Sequence, residues 1–87
     1  MDQGFDTSKP ALFSTFIMGL ASAAMIELGL VEDPLSKEKR LRKDEARKHI
    51  DLIEMLKEKT RGNLDENENK LIDSVLVDLK MQFAKAN

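Results

Sequence analysis

The stretch Leu12-Phe13-Ser14-Thr15-Phe16-Ile17-Met18-Gly19-Leu20-Ala21-Ser22-Ala23-Ala24-Met25-Ile26-Glu27-Leu28-Gly29-Leu30 decides the fold. Between Ala11 and Val31 the only charge is Glu27. A helix that is apolar nearly all round must be covered on most of its sides. Pro10 suits a first helical turn, where its missing N–H costs nothing, and Gly29 suits the position just past a helix end. One helix is therefore expected over residues 9–29. Its sixteen uncharged residues from Ala11 to Ile26 fall short of the ~20 that span a bilayer, and no Trp or Tyr belt flanks them. Burial in protein is the expected fate of this helix.

Two faces can be drawn on it. Phe13, Phe16, Ile17, Leu20 and Leu28 make a bulky stripe, and Ser14, Met18, Ala21, Ser22 and Met25 make a smaller one. Gly19 and Ala23 lie nearby at small-xxx-small spacing.

Downstream, Glu32-Asp33-Pro34 signals a turn within a linker over residues 30–43. A second helix is expected over 44–61, with Asp44 as N-cap and Ala46, Ile50, Ile53 and Leu56 repeating at helical period. Gly62 ends it, and Lys57, Lys59 and Arg61 in the last turn suit the helix dipole. A third helix is expected over 65–84. Asp65 and Glu68 are spaced as a capping box, and Leu71, Ile72, Val75, Leu76, Leu79 and Phe83 form one stripe. The short connection between the second and third helices makes them antiparallel neighbours. Their shared groove should seat the bulky stripe of the first helix.

This gives an all-α fold of three helices, a long apolar N-terminal helix on an antiparallel helical hairpin. It occupies a single domain over 9–87 after a flexible tail at 1–8. Eighty-seven residues bury only about 60–65% of their unfolded surface, and small domains usually add disulfides, a metal or oligomerisation. Cysteine is absent and His49 is the lone histidine, which removes disulfides and thiolate metal sites and leaves little for any other metal. Two helices can cover only about half of the first. The smaller stripe (Ser14, Met18, Ala21, Ser22, Met25) is left as an exposed apolar patch of a kind rare on monomers, and a homodimer with two-fold symmetry is the simplest cover. The fold is thus expected to assemble as a dimeric helical bundle.

Over 37–48 seven bases face three acids, a local +4 in a chain of net −2. The basic patch Lys37, Lys39, Arg40, Arg42 and Lys43 offers RNA or an acidic protein a contact surface, but no aromatic or glycine motif accompanies it, and a solvated linker explains it. Asp65-Glu66-Asn67-Glu68-Asn69 opens like a calcium loop, yet Lys70 and Leu76 stand where that loop needs Gly and Glu. His49, beside Ile50 and Ile53, reads as a packed, hydrogen-bonded residue. No nucleophile motif or glycine-rich phosphate loop is present, so no enzyme activity, catalytic residue, metal or cofactor is expected. The acidic N-terminus lacks the basic region of a secretory signal, which points to a cytoplasmic protein.

Phe13–Leu30 and the stretch Ala46–Glu68 resemble a family of short bacterial proteins known as a domain of unknown function, number eighteen-forty-four. The most specific parts are Ile50-Asp51, the run Lys59-Thr60-Arg61-Gly62-Asn63-Leu64, and Leu28-Gly29 at the end of the apolar helix. The resemblance covers about residues 13–83. It implies a bacterial cytosolic origin and an all-α fold, and it brings no activity, cofactor or catalytic residue. The expected function is a non-catalytic oligomerising or protein-interaction module built on its first helix. The alternatives are an RNA- or ribosome-associated accessory using residues 37–48, and a peripheral membrane or larger-complex subunit that buries the first helix in a partner.

Overall fold

The computed structural model describes residues 12–86. The expected tail at 1–8 and the first residues of the expected N-terminal helix lie outside them. Three helices follow in order, α1 (Phe13–Glu27), α2 (Lys43–Lys59) and α3 (Glu66–Lys85), each packed on the other two. Among the described residues there is no strand, only an isolated antiparallel bridge between Leu28 and Leu41.

The helix ends follow from local chemistry. Gly29 adopts φ +76, and the N–H groups of Gly29 and Leu30 donate back to the carbonyls of Ile26 and Met25 at 3.0 Å each. This is the Schellman arrangement, which satisfies carbonyls that the last turn would otherwise leave free. Gly62, at φ +84, reverses the chain after α2, where Thr60 Oγ1 donates to Leu56 O at 2.7 Å. At the start of α3 Glu68 N–H donates to Asp65 Oδ1 (2.8 Å) and Asp65 N–H donates to Glu68 Oε1 (3.0 Å). The acidic run 65–69 is therefore a capping box.

The start of α2 departs from expectation. Asp44 is not the cap; the helix begins one residue earlier, with Arg42 before it and no capping side chain. The bridge to Leu28 and the bond from Arg42 N–H to Glu27 O (2.6 Å) hold the chain extended up to Arg42, so the helix starts where that tether ends. Asp44 and Glu45 lie instead in the first turn, where negative charge is favourable.

The core is a single cluster of Ile17, Ala21, Ala24 and Leu28 against Ala46, Ile50 and Ile53 of α2 and Ile72, Val75, Leu76 and Leu79 of α3. The α2 and α3 stripes are the expected ones, with Leu56, Leu71 and Phe83 at their margins. The α1 stripe is rotated. Ala21, assigned by sequence to the open face, is 7% exposed and faces the core, while Phe16, assigned to the core, is exposed. Ala21 and Ala24 are small enough to bring the three helix axes together, which the ring of Phe16 at the same place would prevent. Two ion pairs then bridge α2 and α3, Lys57–Asp73 and Lys80–Glu54, each at 2.7 Å.

Candidate interaction surface

With Ile17, Ala21, Ala24 and Leu28 turned inward, the opposite side of α1 is open. Helical geometry places Thr15, Gly19 and Ser22 along its middle, all exposed, with Phe16 and Met18 on its two flanks. Ala23 and Ile26 continue it, half-buried, towards the linker. The face carries no charge. Glu27, the one charged residue of the helix, is 8% exposed and pairs with His49, whose Nδ1 lies 2.8 Å from Glu27 Oε1. Among the described residues a Cβ placed on Gly19 would meet nothing within 4 Å, so none of them requires a glycine there.

The five residues that the sequence assigned to this face divide. Met18 and Ser22 lie on it and are exposed. Ser14 is half-buried, and Met25 is half-buried and packed against the core cluster. Ala21 belongs to the core, so it cannot contribute to an external contact. Thr15, Phe16 and Gly19 take their place. Large aromatics such as Phe16 are usually buried; only the 17, 21, 24, 28 register speaks against it here, and an all-apolar helix does not separate that register from its neighbours.

The basic patch also divides. Lys37, Lys39 and Arg40 are exposed. Arg42 is taken up by the fold, with its guanidinium 3.5 Å from the Asp33 carboxylate and its backbone bonded to Glu27. Lys43 Nζ donates to Ala86 O at 3.0 Å and lies 4.5 Å from the centre of the Phe83 ring, which ties the start of α2 to the end of α3. Both of these cations serve internal contacts.

Two clefts are large enough to note. One, of about 310 Å³, lies between α2 and α3 and is lined by Arg47, Ile50, Asp51, Glu54, Lys80 and Phe83. The other, of about 260 Å³, lies between α1 and the linker, lined by Ala23, Ile26, Glu27, Asp33, Pro34, Leu35 and Arg42. Both are open, and they sit at or below the small end of ligand pockets, roughly 300–1,000 Å³. Among the described residues no three His, Cys, Asp or Glu side chains gather as a metal site, and no helix is long and apolar enough to cross a membrane.

No curated protein and no solved structure matches this chain. A family model does, over residues 10–85, which takes in all three helices, the linker and nearly the whole sequence. The chain belongs to the family described as Domain of unknown function (DUF1844).

Proposed function

We propose that this protein is a non-catalytic interaction module that self-associates through the open face of α1. One observation carries the reading. A fifteen-residue helix has a single charge, that charge is turned inward onto His49, and the outward face keeps Phe16 and Met18 in water. A helix face that carries no charge and keeps two large apolar side chains in water is stabilised by being covered with another apolar face. The small residues Thr15, Gly19 and Ser22 along the middle would let a second helix approach closely. A cytoplasmic setting accords with the lack of cysteine. The basic linker is the weaker candidate for a binding surface, because Arg42 and Lys43 are committed within the fold.

Light scattering on a sizing column, at micromolar protein and without detergent, tests the reading. The expected mass is twice 9.9 kDa. Ser22→Glu should give a folded monomer, since Ser22 is exposed and its replacement places a charge in the middle of the face. A wild-type protein that remains monomeric at every concentration would remove self-association as the function.

A further inference from the structure

Residues 28–42 form a closed loop. Leu28 and Leu41 pair at its base, and within it Asp33 N–H donates to Glu38 O (2.9 Å) and Lys37 N–H to Asp33 O (2.8 Å). The Asp33 carboxylate accepts the Leu35 N–H at 2.8 Å and holds Arg42 at 3.5 Å. These bonds fix the loop tip, and the side chain presented there, Leu35, is 94% exposed. A large aliphatic group on a backbone already tied in place loses little freedom on docking.

Leu35 also stands at the edge of the 260 Å³ cleft, whose apolar part is Ala23, Ile26 and Pro34. The two acids on its rim already have partners within the chain, Glu27 the His49 ring at 2.8 Å and Asp33 the Arg42 guanidinium at 3.5 Å. An apolar occupant leaves these contacts in place, and the volume suits one apolar side chain better than a metabolite. Knob and cleft lie on the same surface of the same chain, the condition for an isologous contact in which each copy supplies both.

We propose that the cleft receives Leu35 of a second copy, so that each loop tip docks against α1 of its twin about a two-fold axis. The proposal rests on the reading of α1 as a self-association face and names what completes that contact. Area requires a completing element. Leu12 (69%), Phe16 (53%) and Met18 (47%) expose little more than one and a half whole side chains. At roughly 150 Å² each that is about 250 Å² per copy, far below the ~500 Å² per partner of the smallest specific interfaces. Leu30 (38%), Val31 (42%) and Leu35 (94%) expose as much again, and the linker thereby brings the pair to about 1,000 Å².

The test is disulfide cross-linking between two full-length single variants, Leu35→Cys and Ala23→Cys, mixed and oxidised. The natural chain has no cysteine, so every cross-link reports on these positions. The mixed sample should form covalent heterodimer at least about tenfold faster than either variant forms homodimer alone. Leu35→Ser, at an exposed site, should keep the helical signal and weaken dimerisation by about tenfold or more. A dimeric wild type with no mixed cross-link and an unchanged Leu35→Ser affinity would overturn the loop contact and leave the α1 reading standing. A wild type that never dimerises would overturn both.

Discussion

Glu27 and His49 meet 2.8 Å apart across the α1–α2 seam, and the acid is the more deeply placed of the two. Because His49 Nδ1 faces two acceptors, the Glu27 carboxylate and Glu45 O at 3.3 Å, that nitrogen carries the proton and donates. The relationship is asymmetric. Loss of the histidine strands a buried carboxylate, whereas loss of the charge on Glu27 removes the need for the histidine.

His49→Ala should therefore cost about 1–3 kcal/mol, the penalty of an unsatisfied buried polar group, with the charge placing it towards the upper end. Adding Glu27→Gln to His49→Ala should return part of that loss. Denaturant unfolding of the four proteins in the cycle measures the coupling. Additive effects would mean that the two side chains stabilise the fold independently despite their distance.

Much of this architecture can be read from the residues, and the limits have physical causes. α2 and α3 are amphipathic, so Ile50, Ile53, Ile72, Val75 and Leu79 point inward by period alone, and Asp65 with Glu68 marks the start of α3. α1 has no polar side to orient it. Its buried stripe was decided by which side chains let α2 and α3 come close, a tertiary fact that exchanged Phe16 for Ala21. The linker expected over 30–43 is instead tied into a loop at its base, because the Leu28–Leu41 pairing joins residues that no local pattern connects. The Glu27–His49 pair likewise joins two residues that each looked solitary, although one acid in an apolar helix was itself a signal that a partner was needed.

Gly19 separates stability from association. It sits in a helix interior, where glycine is about 1 kcal/mol worse than alanine, and an added methyl meets nothing among the described residues. Gly19→Ala should therefore raise the denaturation midpoint of the isolated fold, measured in a Ser22→Glu background. In the dimer the same methyl lies between the approaching helices and should weaken association several-fold. A variant that gains stability with unchanged dimer affinity would place the contact away from the centre of α1.

The basic residues should respond to charge reversal in two ways. Lys39→Glu and Arg40→Glu alter exposed side chains and should change stability by no more than about 0.5 kcal/mol. Arg42→Glu sets a carboxylate beside Asp33 and near Glu27 in the same cleft, and should lower the melting temperature clearly. Thermal melts by circular dichroism distinguish the two classes. Equal effects at all three positions would mean that Arg42 is no more committed to the fold than its neighbours.

The Lys57–Asp73 pair gives a pH signature with a fixed sign. The hydrogen bond to Asp73 and that carboxylate's charge, with a smaller contribution from Glu54, raise the Lys57 ammonium above its ordinary value; desolvation and Arg61 oppose them. The folded chain thus holds this proton more tightly than the unfolded one. The resulting stabilisation is constant below the ordinary lysine value of about 10.4 and disappears as pH rises through the raised folded value. The pair is at the surface, so its contribution is small and salt-screened. Lys57→Met keeps most of the apolar stem and removes the charge. The difference in melting temperature between it and the wild type should stay flat from pH 6 to about 9 and shrink above about 10.4. It should also shrink at neutral pH in about 1 M salt, where the screening length falls to about 3 Å. A difference that already changes between pH 6 and 8 would assign the effect to a group other than Lys57.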